Sequence, residues 1–208
     1  MRGFRFPDSY RIGDTYSMLV YDIKPDEFEY AFSFDGPYEP AKGLLFNEEN
    51  VLLDPYSRAV TGQRKWGEKP EGGKDFEYRA RVVKSSFDWG NIKQLEQPFE
   101  DLVIYEIHVR GYTKDKSSGV SAPGTFAGLK DKIPYLKDLG INAVELMPIF
   151  EFDEMESARV VDGVQLYNYW GYNTVSFFAP NTSYAFNEEH NHEGDELKSL
   201  IKALRKMA

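Results

Sequence analysis

Apolar and polar residues alternate from Phe28 to Asp35, with Phe28, Tyr30, Phe32 and Phe34 interleaved by Glu29, Ala31, Ser33 and Asp35. A period of two predicts a half-buried strand with four aromatic rings on one face. Asp35-Gly36-Pro37 ends it with turn-forming residues. Partner strands are expected over residues 16–23 and 76–83, separated by loops rich in Pro, Gly and charge, notably 62–74. Over 91–100 the composition turns polar, as in a linker. Beyond it the pattern changes. Residues 102–110 are apolar at nearly every position up to Tyr105 and then interrupted by charge, which fits a strand buried on both faces. Phe126, Leu129, Ile133, Leu136 and Leu139 recur at helical spacing behind Thr125, a suitable N-cap, and Gly140 supplies a left-handed stop. Pro134 inside that pattern removes a backbone donor and clashes with the preceding turn, so a kink or two short helical pieces is expected. A second strand over 141–147 is closed by Pro148. Strand, long loop, helix, strand is the order of a βαβ unit. A last apolar stripe, Leu197, Leu200, Ile201, Leu204 and Met207, predicts a helix over 194–208, acidic at its start and basic at its end.

The chain has 208 residues, enough for two small domains. The expected division is a β module over 1–90, a linker over 91–100 and an α/β part over 101–208. The absence of cysteine excludes a disulfide framework and is compatible with a reducing compartment, so the cytoplasm is the expected location. No apolar run approaches membrane-spanning length, and Met1-Arg2-Gly3-Phe4-Arg5 lacks the apolar core of a signal peptide. Neither a membrane nor nucleic acid is an expected partner. A net charge of -9 disfavours the latter, because phosphate binding needs clustered positive charge. A neutral polysaccharide has no such requirement.

Several stretches carry a family resemblance. Val103-Ile104-Tyr105-Glu106-Ile107-His108-Val109-Arg110-Gly111-Tyr112-Thr113, Thr125-Phe126-Ala127-Gly128-Leu129 and Gly140-Ile141-Asn142-Ala143-Val144-Glu145-Leu146-Met147-Pro148 resemble the start of the catalytic barrel in glycoside hydrolase family 13. Asn168-Tyr169-Trp170-Gly171-Tyr172-Asn173-Thr174-Val175-Ser176-Phe177-Phe178-Ala179-Pro180 draws the likeness toward its glycogen-debranching and isoamylase branch. Upstream, Tyr30-Ala31-Phe32-Ser33-Phe34-Asp35-Gly36-Pro37-Tyr38, Phe46-Asn47 and Leu52-Leu53-Asp54-Pro55-Tyr56 are similar to the second half of a carbohydrate-binding module of family 48. The resemblance implies a mixed fold: an incomplete, immunoglobulin-like β-sandwich followed by the first β/α units of a TIM (β/α)8 barrel, stopping after the second helix. It also implies retaining hydrolysis of α-1,6 branch linkages in glycogen, amylopectin or limit dextrin, without a cofactor. Family members place their catalytic carboxylates after strands four, five and seven. None of those strands is expected here, so the chain reads as an inactive fragment holding no catalytic residue. A fragment of a glucan-branching transferase, and a noncatalytic glucan-binding or structural protein, are the alternatives.

The candidate chemistry centres on Tyr167-Asn168-Tyr169-Trp170-Gly171-Tyr172-Asn173. A flat aromatic ring buries the C-H face of a pyranose while polar neighbours bond its hydroxyl edge, and Trp170, Tyr172 and Asn173 offer that combination. By the resemblance, Tyr172 stacks on the sugar at the cleavage point, and Trp170 stands where many relatives carry a His. The plain structural reading is that these aromatics cover the end of the fold. Glu106 and Glu145 fall on neighbouring strands, and a retaining glycosidase needs two carboxylates about 5 Å apart. Barrel chemistry, however, sits at the C-terminal strand ends. Both glutamates precede those ends, and Glu106 shares its strand parity with His108 and Arg110, so a buried, mutually satisfied network is expected. Asp153, Glu154 and Glu156 read as a solvated loop face. His190, His192, Glu193 and Asp195 lead into a helix whose positive end suits carboxylates, and no metal is assigned to them. Phosphate-cradling glycine loops and serine or cysteine nucleophile motifs are absent from the sequence.

Overall fold

The aromatic alternation survives folding, but the strands around it are shorter than their patterns suggest. The computed structural model describes residues 3–62, 64–68, 78–84, 86–93, 95–187, 189 and 191–207. β1 (Arg11–Ile12) and β2 (Thr15–Tyr16) form a small antiparallel hairpin. The strand expected over 16–23 is not formed past Tyr16. Asp22 takes a left-handed φ of 56°, which breaks the extended backbone, and Leu19 and Tyr21 stand 79% and 76% exposed, so the segment lacks the covered face that a strand needs.

β3 (Glu29–Tyr30), β4 (Phe32–Glu39), β5 (Leu44–Leu52) and β6 (Ala80–Arg81) complete the first half as two antiparallel pairs, β3 with β6 and β4 with β5. The rings of Phe28, Tyr30, Phe32 and Phe34 follow one another at 6.1, 5.6 and 6.3 Å along one face, as alternation requires. Asp35-Gly36-Pro37 does not end the strand. β4 runs through it, and the register slips between Phe34 and Tyr38 to take up the proline, which has no donor for the ladder. Most of the loop over 62–74 and the start of the strand expected over 76–83 lie outside the described residues.

In the second half come β7 (Ile104–Ile107), α1 (Val109–Thr113), α2 (Phe126–Asp131), α3 (Ile133–Asp138) and β8 (Ala143–Leu146). β7 and β8 are parallel, in register from Ile104 opposite Ala143 to Ile107 opposite Leu146, and the helices form the crossover between them. Thr125 Oγ1 accepts from the Gly128 amide at 3.1 Å, capping α2. Pro134 splits the helical run in two and sits in the first turn of α3, where its missing donor is harmless. Gly140 follows α3 with φ +87°. The strand expected over 102–110 stops at Ile107, because His108 turns the chain into α1. It is also not buried on both faces. Ile104 is 49% exposed, because nothing covers its face of the β7–β8 pair among the described residues.

Next are β9 (Phe150–Phe152), the exposed hairpin of β10 (Arg159–Val161) and β11 (Val164–Leu166), then β12 (Thr174–Pro180) and α4 (His192–Met207). β9 and β12 pair antiparallel with two register shifts. Each sheet among the described residues has two strands, so neither a sandwich nor a closed parallel sheet is assembled within them. The main core joins Ile107, Val109, Phe126, Leu129, Ile133, Leu136, Phe152, Tyr184 and Leu200. The first half is pinned onto the second. Trp66 packs against that core, the Tyr56 and Phe178 rings stack at 5.7 Å, and Lys202 Nζ donates to the Asp88 carbonyl at 2.6 Å. No helix among the described residues is long and apolar enough to cross a membrane.

Candidate functional site

The loop between β9 and β12 carries the aromatic motif, and Gly171 decides its shape. Gly171 has φ +79°, and a Cβ there would lie 2.5 Å from the Phe152 ring. Both the backbone conformation and the close approach exclude a side chain. With Gly171 seated on the core, its neighbours project outward: Trp170 is 62% and Tyr172 65% exposed. Two large aromatics so exposed on either side of a buried anchor give the loop an apolar outer surface, a platform in the sense of accessibility alone. Asn173 stands beside them, its Nδ2 donating to Glu156 Oε2 at 2.6 Å. The structure therefore brings all three candidate contacts together at the surface.

Behind the platform lies a stacked aromatic base. The Tyr169 ring lies parallel to the His108 imidazole, 4.1 Å between centroids and 6° between planes. Trp66 stacks on Tyr184 at 6.0 Å and meets Phe152 and Tyr169 edge-on, while the Arg110 guanidinium sits 4.6 Å from its ring. Burial pushes the His108 pKa down, with the Arg110 charge acting in the same sense and the bond to the Tyr169 carbonyl opposing.

Beneath this base are buried carboxylates. Glu151 on β9 is fully buried and accepts from the Thr182 amide at 2.7 Å. Burial holds its pKa well above the usual carboxylate range. Glu154 accepts from Ser183 Oγ at 2.7 Å and Asn181 Nδ2 at 3.3 Å, and burial raises its pKa to about 7. This corrects the reading of Asp153, Glu154 and Glu156 as one solvated face: Glu154 is enclosed by the turn over 181–184, and only Glu156 is exposed. A second correction concerns Glu106 and Glu145. They sit opposite each other on β7 and β8, both exposed, and the buried network expected of them is not formed because their face is uncovered. His108 and Arg110 have already left the strand. Near α4, His192 Nε2 lies 2.8 Å from Glu189 Oε2 and Glu193 is buried, while His190 lies outside the described residues. Among the described residues, no group of three or more His, Cys, Asp and Glu is arranged to hold a metal.

No family model matches the chain. Individual proteins do resemble it. The chain is 39% identical over 185 residues to isoamylase 1, chloroplastic, of Arabidopsis thaliana, covering 85% of this chain and 24% of that one. It is 35% identical over 215 residues to the glycogen debranching enzyme of Yersinia enterocolitica, covering 96% of this chain and 31% of the relative. The chain is a homologue of isoamylases and glycogen debranching enzymes. The structure agrees: the Group B Streptococcus pullulanase SAP matches it with a TM-score of 0.57 at 25% identity, over 76% of this chain and 22% of that one. The chain spans about a quarter to a third of the length of these curated relatives. Trp66, Tyr184 and Glu151 escaped the sequence reading. The one available signal was a lone Trp in a loop otherwise rich in Gly and charge.

Proposed function

We propose that this chain forms one wall of the glucan cleft of a debranching enzyme that hydrolyses α-1,6 branch linkages in glycogen, amylopectin or limit dextrin. In this reading residues 1–90 are the later part of an accessory β-sandwich, 91–100 a linker, and 101–208 the first β/α units of a (β/α)8 barrel. The parallel pairing of β7 and β8 through a helical crossover supports that placement. The observation that carries the function is the platform of Trp170 and Tyr172, held outward around a buried glycine in a homologue of debranching enzymes. Tyr172 stacks on the sugar ring at the cleavage point, with Trp170 and Asn173 beside it. One carboxylate attacks the anomeric carbon, a carboxylic acid protonates the departing oxygen, and water then resolves the glycosyl-enzyme. Those carboxyl groups belong to later barrel strands, outside this chain. Tyr172 orients the ring and breaks no bond. A cytoplasmic location fits an enzyme of stored polysaccharide, although the plant relatives are named as chloroplastic.

The test is Tyr172→Ala in a full-length debranching enzyme carrying this segment. Turnover on branched glucan should fall by about 100-fold with the melting temperature nearly unchanged, because the exposed ring contributes orientation and little packing. Unaltered kinetics would remove Tyr172 from the site.

A further inference from the structure

The geometry points to His108 as a positioning residue, whose imidazole clamps the aromatic loop so that Trp170 and Tyr172 are presented rigidly to a glucan ring. The inference rests on the glucan reading above. It starts from hydrogen-bond directions. His108 Nδ1 accepts from the Gly111 amide at 2.9 Å, so Nδ1 holds a lone pair and the ring hydrogen is on Nε2. Nε2 lies 2.7 Å from the Tyr169 carbonyl, an acceptor that only a donating nitrogen satisfies. Cap and clamp therefore require the same tautomer, and each selects it for the other. The ring face is used as well, since Tyr169 stacks on it at 4.1 Å.

The neighbours fit the same role. Gly111 leaves room for the Tyr169 ring, because a Cβ at Gly111 would meet the Tyr169 hydroxyl at 2.0 Å. Trp66 closes the far side, 6.3 Å from His108 and 6.1 Å from Tyr169. Tyr169 is followed at once by Trp170, Gly171 and Tyr172, so its carbonyl is fastened within three residues of both platform rings. His108 thus ties the end of β7 to a loop 61 residues further along the chain. It touches no sugar in this arrangement and acts through the loop.

Two conservative variants separate the functions of the ring. His108→Asn keeps an acceptor for the Gly111 amide and lacks reach to Tyr169; His108→Gln keeps a donor near the Nε2 position. In the 208-residue chain, long-range nitrogen NMR should find the hydrogen of His108 on Nε2. Amide exchange at residues 169–173 should quicken by about tenfold in His108→Asn, the equivalent of one lost hydrogen bond, and return most of the way in His108→Gln. Maltotetraose binding, followed by perturbation of the Tyr172 signals, should weaken and recover in parallel. A hydrogen on Nδ1, or unchanged exchange in His108→Asn, would overturn the clamp. Quickened exchange with maltotetraose affinity unaltered would overturn its role in presenting the platform. If the unsubstituted chain ignores maltotetraose while exchange responds as described, the glucan reading fails and the clamp stands.

Discussion

Glu154 shows how far a residue's setting departs from its place in the sequence. In a stretch of acidic loop residues it reads as solvated, yet it is enclosed and bonded by Ser183 and Asn181, which lie roughly thirty residues away. Nothing local announces that, because the turn enclosing it is brought there by tertiary packing. Trp66 was hard to read for the same reason, and Tyr172 was singled out through the family resemblance of its motif, not through any local signal of its exposure. The burial of Glu154 has a pH consequence. Its pKa is raised to about 7, so between the unfolded value and neutrality the native state binds the extra proton. Stability from this group is fully present below about pH 4.5 and lost as pH rises through about 7, to a limit of about 3 kcal/mol. Glu151 and Glu193 shift in the same direction, while His108, lowered by burial, opposes them only below about pH 6.5. Glu29, held low by Arg81 and Arg79 against the opposing effect of burial, acts only below that window. Urea unfolding should therefore give a lower midpoint near pH 8 than near pH 5, with the difference reduced in Glu154→Gln. An equal slope in the variant would assign the effect elsewhere.

At the scale of elements, what was readable depended on whether the deciding contacts were local. Thr125, Pro134 and Gly140 marked the start, break and end of the α2 and α3 run, and each acts within a turn of itself. The strand patterns were less reliable because alternation says which face is apolar and not whether a partner arrives. Residues 18–23 pair with no strand among the described residues, and β4 passed its predicted turn by slipping register. The cap on α2 offers a clean test of the local part. Thr125 Oγ1 both accepts from the Gly128 amide and donates to the Ala122 carbonyl at 2.9 Å, in a buried setting. Thr125→Ala should cost about 1–2 kcal/mol, and Thr125→Ser much less, since serine keeps the oxygen. Equal losses in the two variants would show that the methyl packing, and not the cap, is what matters there.

For the whole molecule, the accessible surface is the informative quantity. The chain exposes 14575 Å² at a mass of 24.0 kDa, against roughly 9,900 Å² for a compact monomer of that size. Part of the exposed surface is apolar: Val103 and Ile104 at β7, Phe177 and Phe178 on β12, Val160 and Val164 on the exposed hairpin. Among the described residues each strand has one paired neighbour, so these side chains stand beside strand edges that no further strand covers there. The platform of Trp170 and Tyr172 lies on the same half of the chain as most of these faces. Alone, the 208-residue chain has only its net charge of -9 to keep copies apart, and that repulsion is screened beyond about 10 Å at 0.1 M salt. Sedimentation velocity at tens of micromolar should therefore show association that grows with salt. A single monomeric boundary at all salt concentrations would mean that these faces are closed in solution by contacts within the chain itself.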